Sequence, residues 1–376
     1  MRITILQGPF LPVPPIRGGA IEKAWFRLGM EFRRMGHEVA HLSRECDGLQ
    51  KKETIEGVRH FRVPGNESTT FLPMLKFRDL QYVLRAKRVL PPTDILVTHS
   101  FWAPILLDSK ACGRKYVHVG RFPKGQMKLY QNVSRLQAPS ASVARAICRE
   151  VPDSSQLVKA IPYPLPWDCP PLVSGEVREK TILYHGRIHP EKGLRELIAA
   201  VASLPEKLSR EWKLVVRGPW RIEQGGAGKA FLEELRNLAD PAIERITFYD
   251  PAFDDETLRQ DLGRAGLFVY PSLAERGETF GLAALEAMSC GCPPLVSSLS
   301  CFKDFVSDGE NGFVFNHLDT DVAVALRDKL AKVLHNPECL SAAGLKASRD
   351  AAGYALKPVA KLFLEDFDSI FTNSAL

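Results

Sequence analysis

Runs of apolar, β-branched residues alternate with segments of helical periodicity along nearly the whole chain, and this alternation constrains the fold most strongly. In the first half, strand-like runs at residues 2–6, 36–42, 94–99 and 115–119 are separated by longer connections such as the helical pattern at residues 21–35. Connections of that length predict parallel strands with right-handed crossovers, because parallel neighbours cannot be joined by a tight turn. The first half is therefore expected to form an open α/β sheet.

A proline-rich stretch at residues 161–175 interrupts this alternation. Its prolines can continue neither a helix nor a central strand, so we interpret it as a semi-rigid linker. A chain of 376 residues also exceeds the size at which a single hydrophobic core keeps growing. We therefore predict one domain at residues 1–165 and a second at residues 176–356, followed by a terminal helix at residues 357–376.

The alternation restarts after the linker and predicts a second α/β sheet. Strands are predicted at residues 181–184, 212–216, 246–249, 267–270 and 293–297, with helices at residues 193–204, 229–238, 255–264 and 280–290. Two α/β domains joined by one linker predict a cleft between the sheet edges, since ligands of such sheets bind at the carboxyl ends of the strands.

Composition and cysteine usage predict a cytoplasmic protein. Hydrophobic residues make up 45% of the chain and charged residues 25%, as in ordinary globular proteins. No run approaches the roughly 18 consecutive apolar residues of a transmembrane helix, and the apolar start at residues 2–6 is too short for the core of a signal peptide. The eight cysteines show no zinc-ligand spacing, so reduced thiols are expected.

Basic residues are concentrated in the first half. Residues 1–170 contain 26 Lys+Arg and 14 Asp+Glu, a balance of +12, whereas the remainder contains 24 and 30, a balance of −6. The asymmetry predicts an anionic substrate, a membrane surface or nucleic acid as a partner of the first half. We do not expect nucleic-acid binding, because the chain has no recognition helix, RNP motif or interleaving of aromatic and basic residues.

Residues 76–90 form a basic amphipathic pattern, with Phe77, Leu80, Val83 and Leu84 predicted on one face. One interpretation is a helix whose apolar face lies against the sheet. The other is a helix that makes peripheral contact with anionic lipids, which would place the protein on the inner face of the membrane. The pattern is compatible with both interpretations.

Two motifs in the second half suit a phosphorylated ligand. A loop after the first strand of this half runs from Gly186 to Gly193, and its Arg187 and Lys192 supply a guanidinium fork and an ammonium for a diphosphate. Each residue is also compatible with a solvated basic loop. A polar loop after the predicted strand at residues 267–270 carries Glu278 and leads into a helix that opens near Gly281. The free N–H groups at the start of that helix favour an anion.

Two further features are weaker signals on their own. Glu286 lies among apolar residues of the helix at residues 280–290 and needs a polar partner, for which a ribose diol is suited. Gly18 and Gly19 precede the first helix, and paired glycines let the backbone approach a phosphate closely. An ordinary solvent-facing glutamate and a plain turn are the alternatives.

Together these motifs resemble those of glycosyltransferase family 4, whose members are retaining enzymes with the GT-B fold. Glu278 and Glu286, with seven residues between them, resemble the E-x7-E signature. The segment 186–193 resembles the G-R-x4-K-G donor loop, and the segment 18–22 resembles the G-G-x-x-E motif. The resemblance implies two Rossmann-like α/β domains with parallel sheets facing across a cleft, and a C-terminal helix that returns to the N-terminal domain.

The resemblance also implies an activity and roles for individual residues. The enzyme would move a sugar from a nucleoside-diphosphate sugar, with UDP-sugar favoured, to a hydroxyl of a glycan, lipid-linked or small-molecule acceptor. Arg187 and Lys192 would neutralise the departing diphosphate, and Glu286 would bind the ribose. Glu278 would hold the sugar and distal phosphate together with backbone amides, while glycines would approach the phosphates. The amides are those of Thr279, Phe280, Gly281 and Leu282, and the glycines are Gly18, Gly19 and Gly186.

The family commonly has a histidine at the end of a strand of the first domain, facing the donor sugar. His118 is the best match, although it lies within the predicted strand rather than plainly after it, and His99 would line the acceptor side. A purely structural role is the alternative for both. No metal ion or other cofactor is expected, because the D-x-D tripeptides at residues 319–321 and 366–368 do not follow core strands.

Other interpretations stay open at this stage. A GT-B-fold epimerase or phosphorylase is one, although the E-x7-E arrangement argues against an epimerase. A non-catalytic module that binds sugar nucleotides is another, and it would retain nucleotide affinity without turning over a donor.

Overall fold

A computed structural model describes residues 1–69, 71–170, 178–242, 244–252 and 254–372. The chain divides into two compact units, which we call unit 1 (Met1–Pro166 and Leu356–Leu376) and unit 2 (Trp167–Ala355). Each has its own sheet flanked by helices, mainly parallel in unit 1 and parallel in unit 2, and the predicted pair of Rossmann-like α/β domains is confirmed. Among the described residues, no helix combines the length and the apolar character needed to cross a bilayer.

Unit 1 contains, within the described residues, an eight-stranded sheet with the order β3-β4-β2-β1-β5-β6-β7-β8. Strand β1 lies at its centre between β2 and β5, where Ile3 pairs with Val39 on one side and Ile95 on the other. All pairs are parallel except β3 with β4, which pair antiparallel. The strands are β1 Arg2–Leu6, β2 Glu38–Arg44, β3 Lys52–Ile55, β4 Val58–Val63, β5 Ile95–Thr98, β6 Arg114–His118, β7 Arg135–Ala138 and β8 Val158–Ala160.

The helices of unit 1 include the last helix of the chain, so the predicted return of the C-terminal helix to the N-terminal domain is confirmed. They are α1 Ala20–Arg34, α2 Leu72–Lys87, α3 Ala103–Leu106, α4 Ser109–Cys112, α5 Ala141–Glu150 and α13 Leu356–Thr372. In α13, Phe363 and Phe367 are buried in the same core as Trp25 of α1. The Asp366 carboxylate accepts a hydrogen bond of 2.9 Å from the Tyr116 hydroxyl and forms a 2.8 Å ion pair with the Arg135 guanidinium.

Unit 2 contains, within the described residues, a six-stranded parallel sheet with the order β11-β10-β9-β12-β13-β14. Its strands are β9 Glu179–His185, β10 Lys213–Arg217, β11 Ile246–Tyr249, β12 Ala265–Tyr270, β13 Pro294–Ser297 and β14 Phe313–Phe315. Its helices are α6 Leu194–Ala202, α7 Glu206–Glu211, α8 Lys229–Ala239, α9 Asp255–Arg264, α10 Leu282–Ser289, α11 Val322–Leu334 and α12 Pro337–Ala351. The central neighbours β9 and β12 pair in parallel, so the loops that follow them leave the same edge of the sheet.

Two predictions about local structure are corrected. The start of the predicted linker is packed rather than spacer-like, since Ile161, Leu165 and Trp167 are buried, and residues 171–175 of that stretch lie outside the described residues. On α2, Val83 is buried but Phe77 and Leu84 are exposed, so the four apolar residues do not share an inward face.

Candidate active site

The two loops that follow β9 and β12 in unit 2 are in direct contact. The Leu273 N–H donates to the Glu191 carbonyl oxygen at 2.8 Å, which ties one loop to the other. Gly193 has a φ of +70°, and a Cβ at this position would clash with the Pro271 carbonyl oxygen. Only glycine fits such a close approach in this conformation without strain, so Gly193 brings the loop of residues 186–193 against the end of β12.

Lys192 and Glu278 form a buried ion pair at this edge of the sheet. The Lys192 Nζ lies 2.6 Å from Glu278 Oε2, and the two side chains are only 6% and 11% exposed. The same Nζ lies 5.2 Å from the centroid of the Tyr270 ring. Burial raises the pKa of the Tyr184 and Tyr270 hydroxyls well above their usual range, and the Glu278 carboxylate raises both further. The two charges at this site therefore offset each other, and the neighbouring phenols stay neutral.

Arg187 lies beside the same tyrosines but faces solvent. Its Nη2 donates to Glu191 Oε1 at 2.7 Å, and its Nη1 donates to the Gly225 carbonyl oxygen at 2.8 Å. The Tyr184 hydroxyl donates to the Arg187 carbonyl oxygen at 2.8 Å. The side chain is 43% exposed, so its guanidinium can reach a ligand by exchanging one of these partners.

The structure thus brings Arg187, Lys192 and Glu278 together around one pair of stacked rings. The centroids of Tyr184 and Tyr270 are 5.9 Å apart with an interplanar angle of 12°. Gly186 also lies here, because a Cβ on it would approach the Tyr184 hydroxyl to 2.9 Å. Two cations, each paired with a carboxylate, at the ends of adjacent parallel strands form a candidate site for a charged ligand.

Helix α10 starts two residues later than predicted. Gly281 takes a left-handed conformation with a φ of +84° and caps the helix, so Thr279 and Phe280 lie in the loop before it and Leu282 is the first helical residue. A Cβ on Gly281 would clash with the ring of Phe302. The Phe280 side chain is buried in the core, so only its backbone can face a ligand.

Glu286 is half-buried on α10. Burial raises the pKa of the nearby Cys290 thiol to about 11, and the Glu286 carboxylate contributes to the rise. The ribose contact predicted for Glu286 stays a prediction.

In unit 1, Gly18 and Gly19 differ in their surroundings. Both have a positive φ, of 79° and 95°, and Gly19 is the N-terminal cap of α1. A Cβ on Gly19 would clash with the carboxylate of Glu22, whereas nothing lies within 4 Å of a Cβ on Gly18. Gly18 is therefore the more open of the two, and Gly19 mainly allows Glu22 to fold back over the start of the helix.

His118 is the last residue of β6 and is almost fully buried. Its Nδ1 lies 2.5 Å from Gln137 Oε1, and its Nε2 lies 2.8 Å from the Tyr163 hydroxyl. Burial lowers the pKa of His118 to about 4. Next to it, His99 accepts a 2.9 Å hydrogen bond from the Gly8 N–H, and burial lowers its pKa to about 3. Both imidazoles are therefore neutral at pH 7.

Several residues at the site of unit 2 and around His118 carried no signal in the sequence. Tyr184 and Tyr270 are the last residues of their predicted strands, where aromatic residues are common core residues. Glu191 lies in the segment 186–193, in which only the basic residues and glycines were singled out. Tyr163 lies in the segment 161–175, which was interpreted from its prolines alone. The signal that could have identified them is their position next to a strand end.

Residues 174–350 match the profile of the family described as Glycosyl transferases group 1. The fold is the GT-B fold of glycosyltransferases, since sucrose-phosphate synthase from Thermosynechococcus elongatus superposes with a TM-score of 0.81 at 19% identity, over 99% of this chain and 100% of that one. The fold class predicted from the sequence is confirmed.

Individual proteins are similar to this chain to different extents. A D-inositol 3-phosphate glycosyltransferase of Rhodococcus jostii is 32% identical over 204 residues, which is 52% of this chain and 42% of the relative. The chain therefore matches less than half the length of that relative. HepE of Anabaena, solved in complex with UDP and glucose, has a TM-score of 0.71 and 17% identity over 98% of this chain and all of that chain.

Proposed function

We propose that the protein is a retaining glycosyltransferase that moves a sugar from a nucleoside-diphosphate sugar to a hydroxyl acceptor. The observation that carries the proposal is the grouping of Arg187, Lys192 and Glu278 at the ends of β9 and β12 in unit 2. The match of this unit to group 1 glycosyl transferases supports the same conclusion. The acceptor is a glycan, a lipid-linked sugar or a small molecule, and the enzyme works in the cytoplasm without a metal ion or other cofactor.

The donor diphosphate would bind to Arg187 and Lys192. An ammonium has three N–H donors, and Glu278 occupies one of them, so Lys192 retains donors for a phosphate oxygen. Arg187 would exchange the Gly225 carbonyl for a phosphate and bind it with a guanidinium fork. Gly186 and the amides of residues 279–282 would complete the phosphate contacts within unit 2.

The reaction separates a sugar with positive character from a departing diphosphate. Two cations fixed beside the diphosphate stabilise the negative charge that develops on it, and this stabilisation is greatest for groups that are already ordered. Lys192 is ordered by its buried bond to Glu278, so little reorganisation is needed as the bond to the sugar breaks. Glu278 would also hold a sugar hydroxyl, and Glu286 would bind the ribose.

His118 would accept a hydrogen bond from the substrate rather than transfer a proton. Its Nε2 faces the Tyr163 hydroxyl, so a sugar hydroxyl would have to take the place of that phenol. UDP is favoured as the nucleotide, because HepE, which has the same fold, was solved with UDP and glucose.

The test combines nucleotide binding with donor hydrolysis. UDP, GDP and ADP are titrated by calorimetry, and the matching radiolabelled sugar nucleotides are assayed for slow hydrolysis. Arg187→Ala should weaken binding of the preferred diphosphate roughly 10- to 100-fold, as expected for the loss of a charge-assisted hydrogen bond. Arg195→Ala is the matched control, because Arg195 is 42% exposed, lies in the same unit and also pairs with a glutamate.

The outcomes separate the alternatives. Binding and hydrolysis that Arg187→Ala weakens and Arg195→Ala preserves would support a transferase. Binding without any hydrolysis or transfer would indicate a non-catalytic module, and a rearranged or phosphorolysed donor would indicate an epimerase or phosphorylase. Equal affinity in both variants would contradict the assignment of the site.

A further inference from the structure

Helix α2 of unit 1 is held in one orientation by its polar residues. The buried Asp79 carboxylate accepts hydrogen bonds from the Ser100 hydroxyl at 2.9 Å and the Trp102 N–H at 3.0 Å. The Tyr82 hydroxyl, also buried, donates to the Leu42 carbonyl oxygen at 3.3 Å. These contacts turn the face that contains Asp79 and Tyr82 towards the sheet, and the opposite face is directed to solvent.

The face of α2 opposite to Asp79 is apolar and exposed. Its large side chains are Met74 (39% exposed), Phe77 (51%) and Leu84 (47%), which follow helical spacing and form a stripe. Phe71 (63%) and Leu72 (61%) add exposed apolar surface at the N-terminal end of the helix. Single exposed apolar residues are ordinary on protein surfaces, but a contiguous stripe marks an interaction surface.

Basic residues border this stripe. Lys76, Lys87 and Arg88 are exposed beside it. Residues 71–90 contain five basic residues and one acidic residue, a balance of 5 − 1 = +4, and the acidic residue is the buried Asp79. The stripe therefore presents apolar side chains within a positively charged border.

We propose that this surface of α2 docks the protein onto an anionic lipid bilayer. Aromatic and aliphatic side chains of the stripe would enter the region between headgroups and acyl chains, and the basic border would bind the headgroups. Charge complementarity favours lipid over a second copy of the chain, because a two-fold contact would place one positive border against another. The docking does not rest on the proposed transferase activity. If the protein both docks onto lipid and transfers a sugar, the docking favours a lipid-linked acceptor.

Vesicle flotation with the full chain tests the proposal directly. Neutral phosphatidylcholine vesicles are compared with vesicles that contain phosphatidylglycerol. Phe77→Ser combined with Leu84→Ser removes two exposed apolar side chains and should reduce binding to the anionic vesicles at least 10-fold. Leu318→Ser is the control, because Leu318 is 70% exposed and lies in unit 2.

A second pair of variants tests the charge. Lys87→Gln combined with Arg88→Gln should reduce binding to anionic vesicles about 30-fold, since each basic residue near such a surface contributes a factor of roughly five. Lys229→Gln is the control, because its side chain is 78% exposed and lies in unit 2. Higher salt should weaken binding of the wild type more than binding of the Gln variant.

Folding is checked separately by circular dichroism and thermal unfolding, since all four substituted side chains face solvent. The proposal is overturned if the wild type does not bind anionic vesicles, or if it binds neutral and anionic vesicles equally. It is also overturned if the variants bind as well as their controls, or if the apolar substitutions abolish self-association or binding of a protein without changing lipid binding. Sugar-nucleotide hydrolysis is measured in parallel without vesicles and should be unchanged, so failure of docking is distinguishable from failure of the proposed function.

Discussion

The buried pair of Lys192 and Glu278 provides the sharpest test of the site. Replacing Lys192 with Met keeps the length of the side chain and removes its charge. The Glu278 carboxylate, which is 11% exposed, then loses the cation that lies 2.6 Å away. Removing one partner of a buried pair costs about 3–5 kcal/mol, because the other charge stays buried without compensation.

This cost is measurable as a change in melting temperature. Each kcal/mol lowers the melting temperature by about 2–4 °C for a domain of 150–250 residues, so Lys192→Met should melt roughly 10 °C below the wild type. Adding Glu278→Gln removes the uncompensated charge and should restore most of that loss. Lys180→Met is the control, because Lys180 forms an exposed pair with Glu211 and should cost under about 1 kcal/mol.

The same variants separate stability from ligand binding. If Lys192 binds the diphosphate, UDP affinity measured by calorimetry should fall about 10- to 100-fold in both Lys192→Met and the double variant. A double variant that melts and binds UDP like the wild type would mean that Lys192 only neutralises Glu278. A single variant that melts within 2 °C of the wild type would refute the argument from burial.

Three further outcomes are expected. Gly281→Ala should lower the free energy of unfolding by more than about 1 kcal/mol, because the φ of Gly281 is +84°. Gly263→Ala, on the exposed face of α9, should raise the free energy of unfolding by up to about 1 kcal/mol, and urea denaturation measures both changes. Asp366→Ala should lower the free energy of unfolding by about 3–5 kcal/mol, because it leaves the partly buried guanidinium of Arg135 without its carboxylate. The same variant should make the C-terminal helix sensitive to limited proteolysis. Burial lowers the pKa of His60 to about 4, so below about pH 6.5 the unfolded chain binds more protons than the folded chain, and the free energy of unfolding falls as the pH drops. His60→Gln should remove about 2 kcal/mol of the fall in the free energy of unfolding between pH 7.5 and 5. His335→Gln, at an exposed position, is the control and should not remove it.

Periodicity located the central elements of the fold well because hydrophobic burial determines them. The predicted helix at residues 255–264 coincides with α9, and the predicted strand at residues 246–249 coincides with β11. The hairpin of β3 and β4 at residues 52–63 was not predicted. Its first strand is a short, polar edge strand with little hydrophobic alternation, and its neighbour β4 is positioned by pairing with β2.

The orientation of α2 could not be derived from hydrophobicity alone. Hydrophobicity alone predicts that Phe77 and Leu84 are buried against the sheet and that Asp79 is exposed. In the structure Asp79 is buried because it satisfies two donors of the loop after β5, and this requirement outweighs the apolar stripe. Buried hydrogen bonds between distant segments are invisible to a periodicity analysis.

The residues at the site of unit 2 were predicted individually, but their pairing was not. Lys192 and Glu278 are 86 residues apart in the sequence, and the motifs assign them to different parts of a ligand. The structure places them in contact, because β9 and β12 are adjacent although the chain forms two other strands between them. Strand order therefore determined which charges meet.

Proton positions are a further property that follows only from the hydrogen-bond network. Both N–H groups of the Gln137 amide donate to backbone carbonyls, those of Ala138 and Ile161, each at 2.7 Å. Only Oε1 of Gln137 then faces His118, so Nδ1 carries the imidazole proton and Nε2 must accept the hydrogen bond from the Tyr163 hydroxyl. Because burial lowers the pKa of His118 to about 4, this neutral form dominates at pH 7. Nε2 of His118 is therefore a hydrogen-bond acceptor, and the imidazole cannot act as the general acid of a reaction at neutral pH.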